Sequence, residues 1–104
     1  MHDFLDLQGA SGALYRFRRW PEGAAHLPIA GNYVVIQETA SGFKVLAVGA
    51  SMNLSLERQA PAGRGRRKPT HYYTRLNVSR AARTFEHEDL VAYYKPAEVA
   101  AENA

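Results

Sequence analysis

The alternation of apolar and polar positions predicts four strands, at residues 14–20, 33–36, 43–48 and 70–78. The two middle segments are short apolar runs separated by residues 40–42, an Ala-Ser-Gly cluster that is typical of a hairpin turn. The outer two segments alternate with a period of two, which is the pattern of a strand with one face against a core and the other in solvent. These segments therefore predict a sheet that contains a β-hairpin.

Helical patterns follow the hairpin and recur near the end of the chain. Ser51 or Asn53 can cap a short helix that ends at Pro61, and Thr84 can cap a second helix that ends at Pro96. Strands and helices do not alternate regularly along the chain. We therefore predict an α+β fold, in which a small, mostly antiparallel sheet of three core strands plus an N-terminal strand is flanked by helices.

The second predicted helix carries an apolar stripe. His87, Leu90, Val91 and Tyr94 recur at i, i+3, i+4 and i+7, which places their side chains on one face of the helix. We expect this face to pack on the sheet.

Length and composition indicate a single domain without disulfide bonds or membrane spans. The 104 residues form a single unit, 1–104, with a basic loop at 61–69 and a frayed Ala/Glu-rich tail at 97–104. There is no cysteine, which excludes a disulfide framework and a thiolate metal site. No apolar run reaches the roughly 18 residues of a membrane span, and the acidic N-terminus is unlike a signal peptide. We expect a cytoplasmic protein that does not bind membranes.

Positive charge is concentrated in one part of the chain. No acidic residue occurs between Arg58 and Phe85, whereas the formal net charge of the whole chain is only +3. The bases of this stretch are Arg58, Arg64, Arg66, Arg67, Lys68, Arg75, Arg80 and Arg83. Such a stretch attracts polyanions, although a solvated face with a basic loop has the same composition.

The predicted strand at 70–78 adds an aromatic ring beside one of these bases. Tyr73 and Arg75 share one face of that strand, and a surface tyrosine next to an arginine can stack on a nucleic-acid base. The residues expected to contact nucleic acid are therefore Arg64, Arg66, Arg67, Lys68, Tyr73 and Arg75.

Four short motifs occur in a recognisable order within residues 31–96. They are Gly31-Asn32-Tyr33, Ala47-Val48-Gly49, Gly49-Ala50-Ser51-Met52-Asn53-Leu54 and Leu90-Val91-Ala92-Tyr93-Tyr94-Lys95-Pro96. In order and spacing this portion resembles the GIY-YIG nuclease domain. The resemblance implies that family's fold and a site in which two tyrosines, an arginine and a glutamate act around one divalent metal ion and the scissile phosphate.

Most of the catalytic positions implied by the resemblance are altered. Tyr33 stands at the first tyrosine, but the second is Ala47, which cannot transfer a proton. Arg58 lies one residue later than the family arginine would, with Glu57 at the expected place. The resemblance thus leaves Tyr33 and Arg58 as vestigial catalytic candidates. It also implies that Tyr33 and Ala47 lie on neighbouring antiparallel strands, with Arg58 and His87 close by.

The metal-binding position implied by the resemblance is altered as well. His87 stands where the family has its glutamate, and Glu86 and Glu88 flank it, about 100° to either side on a helix. We therefore expect no metal or other cofactor. Mg²⁺ or Mn²⁺ would be required only if the domain were active.

Three functions are compatible with these residues. The first is a catalytically degenerate GIY-YIG-like domain that binds nucleic acid through the basic loop and a sheet face. The second is an active, divergent metal-dependent phosphodiesterase or endonuclease, in which Tyr72, Tyr73 or His71 replaces the lost tyrosine and Glu86 or Glu88 holds the metal. The third is a small protein–protein interaction module whose arginines meet an acidic partner. Ala47 favours a protein that is not an enzyme.

Overall fold

Six strands, one α-helix and one short 3₁₀ helix make up the part of the chain that the computed structural model describes, residues 2–57 and 70–100. The strands are β1 Phe4–Gln8, β2 Leu14–Trp20, β3 Gly31–Thr39, β4 Gly42–Ser51, β5 Thr70–Leu76 and β6 Glu98–Ala100. The 3₁₀ helix is Leu54–Leu56, and the α-helix, α1, is Arg80–Tyr94. None of the helices in these described ranges is long and apolar enough to cross a membrane.

The strands form one mixed sheet with the order β1-β2-β5-β3-β4-β6. Neighbours are antiparallel except at one edge, where β6 pairs with β4 in parallel. The α+β class is therefore confirmed, but the prediction of a mostly antiparallel sheet with three core strands plus an N-terminal strand was wrong, because the described sheet has six strands and is mixed. The terminal strands β1 and β6 were missed because they are short, 5 and 3 residues. β6 lies within the tail that was expected to be frayed, and the residues after 100 are outside the described part.

The first helix differs from the prediction in type and length, and the second differs in where it begins. Asn53 caps the 3₁₀ helix by accepting a hydrogen bond from the Ser55 amide, and only three residues follow in helical conformation before Glu57. α1 begins one turn before the predicted Thr84 cap, because Ser79 accepts a hydrogen bond from the Ala82 amide. The described residues thus place a single α-helix on one side of the sheet.

The hydrophobic core lies between α1 and the face of the sheet that the helix covers. The side chains buried there are Leu7, Tyr15, Phe17, Val34, Ile36, Val45, Val48, Tyr73 and Leu90. On the helix, His87 is buried beside Leu90, and Val91 and Tyr94 pack against the same cluster, as the apolar stripe predicts. Burying one large apolar side chain stabilises the fold by about 1.5–3 kcal/mol, so this face contributes most of the stability.

Asp89 ties the β1–β2 turn to α1. Its carboxylate accepts hydrogen bonds from the Ser11 amide at 2.8 Å, the Ser11 hydroxyl at 2.6 Å and the Tyr15 hydroxyl at 2.7 Å. Gly9 packs directly against this carboxylate, and a Cβ at that position would collide with it. Hydrogen bonds from Ser11, and then from Tyr15, lower the pKa of the Asp89 carboxyl below its usual value of 3.8.

We predict that Asp89→Asn weakens the acid dependence of folding. Because the folded-state pKa is lower than the unfolded one, ionised Asp89 stabilises the fold above the unfolded pKa, and this contribution is lost as the pH falls through the folded pKa. The variant should be less stable at neutral pH and should lose less on acidification below about pH 4. Urea unfolding followed by circular dichroism at several pH values measures this.

Glu22→Gln is the control, because Glu22 is an exposed carboxyl in the connector after β2, away from Asp89. Its acid dependence should match that of the parent. An Asp89→Asn profile parallel to that of the parent would show that the carboxylate does not secure the turn.

Candidate nucleic-acid interface

The face of the sheet remote from α1 carries a second set of side chains, which we call the far face. The register pairs Arg18 with Thr74 and Trp20 with Tyr72 between β2 and β5, and it pairs Thr74 with Tyr33 and Tyr72 with Val35 between β5 and β3. Paired residues of antiparallel strands share a face, and successive residues alternate between faces. The far face is thus centred on Arg18, Trp20, Tyr33, Val35, Tyr72 and Thr74.

Tyr33 lies across the backbone of the neighbouring strand. It pairs with Gly49 of β4, and a Cβ on Gly49 would collide with the outer end of the Tyr33 ring. Only glycine therefore leaves room for the ring in this position. Half-buried Tyr33 has one side against β4, which fixes how the ring is presented on the far face.

The hydroxyl of Tyr33 is held by Glu57, the residue that follows the 3₁₀ helix. Burial, together with the charge and the hydrogen bond of Glu57, raises the pKa of Tyr33 to about 12. The Ser51 hydroxyl donates to the same carboxylate at 3.0 Å. Since a general base works best with a pKa near the operating pH, a phenol that is held protonated in this way is poorly suited to accept a proton from water.

An aromatic cluster occupies the β2–β5 side of the far face. Trp20 makes edge-to-face contacts with Tyr72 and with His26, at centroid distances of 6.0 and 5.2 Å. His26 comes from the connector after β2, and its Nε2 lies 2.8 Å from the hydroxyl of Thr74. Trp20 is buried and donates to the carbonyl of Ala24 at 2.7 Å, whereas Tyr72 stays half-buried. The connector thus fixes the tryptophan and leaves Tyr72 beside Tyr33 on the far face.

Positive charge flanks these rings on β2. Arg16 and Arg18 are exposed, and Arg16 pairs with Asp6 at 3.0 Å in an ion pair whose side chains are 66% and 46% exposed. An ion pair this exposed is weak and leaves the arginine able to exchange partners. The basic sequence 58–69 lies outside the described residues, but Glu57 directly precedes it. The last described residue before this basic sequence is thus the one that holds the Tyr33 hydroxyl.

Tyr73 and Arg75 do not lie on this face. Tyr73 is completely buried and donates to the carbonyl of His2 at 2.6 Å, so its ring cannot stack on a base. Arg75 bonds Glu86 at 2.7 Å, and its guanidinium lies 5.5 Å from the centre of the Tyr15 ring. The expected exposure of Tyr73 was wrong, because both faces of β5 are partly apolar and the period-two pattern does not say which one the helix covers.

The other nucleic-acid candidates, Arg64, Arg66, Arg67 and Lys68, fall in the segment outside the described residues. The catalytic candidate Arg58 falls there too. Nothing in the structure places these five side chains.

The residues that the nuclease resemblance would bring together are separated. Tyr33 and Ala47 lie on the neighbouring antiparallel strands β3 and β4, as expected. His87, however, is buried between α1 and the sheet, on the face opposite Tyr33, so the expected convergence of these two residues is wrong. Tyr33 and His87 are far apart because α1 packs on one face of the sheet and Tyr33 lies on the other. The spacing of motifs along the chain does not show which face a helix will cover.

No metal site is assembled near these positions. Glu86 is engaged by Arg75, and Glu88 is exposed. Within residues 2–57 and 70–100, no three His, Asp or Glu side chains come close enough together to hold a metal ion.

The buried ring of His87 differs from the other buried polar side chains in its hydrogen bonding. Its Nδ1 is the one buried side-chain nitrogen or oxygen without a hydrogen-bond partner in the described part of the chain. Burial lowers the pKa of His87 below its usual 6.5, and the nearby charge of Glu88 opposes this shift. The ring is therefore a neutral core residue at physiological pH.

We predict that His87 makes folding sensitive to mild acid. Between its unfolded and folded pKa values the unfolded chain binds a proton that the folded chain does not, so stability falls as the pH drops from about 7.5 to 5.5. His87→Leu should flatten this dependence in denaturant titrations. His2→Gln, at an exposed position, should leave it unchanged. A parent whose stability is constant over this range would show that His87 takes up its proton equally easily in both states.

Comparison of the chain with protein-family models, with curated proteins and with solved structures finds no match. A function for the chain is therefore inferred from its own residues and their geometry.

Proposed function

We propose that this chain is a non-catalytic nucleic-acid-binding domain, whose contact surface combines the far face with the basic segment 58–69. The observation that carries the proposal is the position of half-buried Tyr33 and Tyr72 on a face that also presents Arg18. Aromatic rings beside cations are the usual means of binding nucleic acid without reading a groove, since the rings contact bases and the cations contact phosphates.

The distribution of charge favours a polyanionic ligand. Two acids on this side of the sheet are already engaged: Asp6 by Arg16, and Glu57 by Ser51 and Tyr33. Glu98 of β6 is exposed at the opposite edge of the described sheet from the arginines of β2. The sequence after Glu57 supplies bases and no acid as far as Phe85. Each phosphate that these bases neutralise releases condensed counterions, which makes the association favourable at low salt.

Catalysis is not part of the proposed function. Ala47 offers no group for proton transfer beside Tyr33, and Tyr33 itself is held protonated by Glu57. The position that the resemblance assigns to a metal-binding glutamate is His87, whose ring lies on the opposite face. The separation of Tyr33 and His87 by the sheet counts against the GIY-YIG resemblance of portion 31–96, so the proposed binding depends on the far face and the basic segment and not on that family's site.

We predict no cleavage of plasmid or oligonucleotide above background in Mg²⁺ or Mn²⁺. Loss of a positioned general acid or base alone costs a rate factor of about 10²–10⁴, and loss of a metal ligand adds to it. Gel analysis of end-labelled substrates over many hours is the measurement. Metal-dependent cleavage that disappears in Tyr33→Phe would contradict the prediction and would favour the active phosphodiesterase instead.

We predict that replacing Arg64, Arg66, Arg67 and Lys68 together with alanine weakens binding and flattens its salt dependence. If all four contact phosphates, the slope of log K against log salt should become shallower by about 3 to 4 units, at roughly 0.7–0.9 per phosphate. Fluorescence anisotropy with a labelled oligonucleotide at several salt concentrations measures both quantities.

The matched control is Arg80→Glu with Lys95→Glu. Both residues are exposed at the ends of α1, and two charge reversals lower the net charge as much as four neutralisations. The control should keep a slope near that of the parent. An unchanged slope in the quadruple variant would mean that the basic segment is not the contact surface. Failure of the parent to bind at low salt would reject the proposed function and leave the protein-interaction module.

A further inference from the structure

We infer that the far face is a stacking platform for unpaired bases, so that the ligand of this domain is single-stranded rather than duplex nucleic acid. The inference rests on the proposed nucleic-acid binding and specifies the form of the ligand. It depends on the orientation of Tyr33 and Tyr72, on the positions of the charges around them, and on whether the bases of a duplex are accessible for stacking.

Tyr33 is held in a defined orientation before any ligand arrives. The ring lies against Gly49, which has no side chain, and the hydroxyl is hydrogen-bonded to Glu57. A ring with one side on the backbone of β4 can present its other side to a base. Because the ring is already ordered, a base that stacks on it does not have to immobilise a mobile side chain.

Tyr72 lies close enough to Tyr33 to form one platform with it. Tyr33 is opposite Thr74 in the register, and Tyr72 is two residues further along β5 on the same face. Such diagonal neighbours on adjacent strands are about 7–8 Å apart. Sheets whose exposed aromatic residues stack two or three bases are a common solution for recognising single strands, because the platform receives neighbouring bases of one chain.

The platform has positive charge on its β2 side and negative charge on its β6 side. Arg18 lies in line with Thr74 and Tyr33, two strand spacings or about 10 Å from Tyr33. On the other side, Glu98 of β6 pairs with Ala47 and is exposed. A strand whose bases rest on β5 and β3 would therefore place its phosphates toward β2 and away from β6.

A duplex does not fit these features. Its bases are stacked on one another, so their π-faces are covered, and extracting one requires both its stacking and its pairing to be broken. A duplex could still bind the basic segment through its phosphates, because that contact does not depend on base accessibility. Preference for single strands is therefore the property that separates stacking from purely electrostatic attraction.

The test compares single-stranded and duplex oligonucleotides of equal length, as DNA and as RNA, at low salt. Binding is followed by anisotropy of the labelled nucleic acid and by quenching of Trp20. Trp20 is the single tryptophan of the chain and contacts Tyr72, so its emission reports directly on this face. We expect tighter binding of the single strands and quenching of Trp20 by them.

Substitutions at Tyr33 separate the ring from its hydroxyl. Tyr33→Leu should weaken single-strand binding about 5- to 150-fold, the range of one base-stacking contact, and should affect duplex binding little. Tyr33→Phe keeps the ring and should retain most of the affinity. Phe85→Leu removes an exposed ring from α1 on the other side of the sheet and should have no effect. Circular dichroism establishes that each variant is folded.

The outcomes distinguish the two levels of the proposal. Equal affinity for single strands and duplexes, or a folded Tyr33→Leu variant that binds single strands as the parent does, would overturn the stacking platform and leave nucleic-acid binding in place. The comparison within the parent decides the matter even if Tyr33→Leu does not fold. Absence of binding to every oligonucleotide would overturn both.

Discussion

Everything in this structure depends on the packing of α1 against one face of the sheet. The helix buries the side chains that β3 and β5 direct toward it, such as Val34 and Tyr73, and period-two alternation sends their neighbours to the other side. Within the described residues no α-helix packs on that second side, where the short 3₁₀ helix places Leu54 against Gly31. Neighbouring residues of a strand therefore go to opposite faces: Tyr73 is buried in the core, and Tyr72, one position earlier, is half-buried on the far face.

Much of the fold follows from local patterns. The alternation in β2 and the apolar runs of β3 and β4 indicate strands, and the stripe containing His87 and Leu90 indicates the helix face that packs. β1 and β6 carry too few residues for a periodic signal, and they form because longer strands offer an edge. The start of α1 was misplaced because both Ser79 and Thr84 are cap-forming residue types, and in the structure Ser79 caps the helix.

The site was harder to predict than the fold because it depends on which face of the sheet α1 covers. Motif spacing along a chain says nothing about which side of a sheet a later helix will cover. Tyr33 and His87 therefore appeared to be partners, whereas the sheet separates them. The partner that Tyr33 does have, Glu57, stands where the resemblance expects an arginine, so one exchange converts a cationic position into an acceptor for the phenol. The hydrogen bond and the charge of Glu57 help to keep the Tyr33 phenol protonated, so it is a poor acceptor of a proton.

The two shortest strands also have a consequence for the behaviour of the protein in concentrated solution. β1 and β6 are the outer strands of the sheet, and they offer unpaired backbone groups over only 5 and 3 residues. β6 is entirely exposed and begins with Glu98, and β1 carries Asp6 at its centre. Short, charged edges are poor templates for the addition of a strand from another molecule. Both edges of the described sheet are therefore protected against edge-to-edge aggregation.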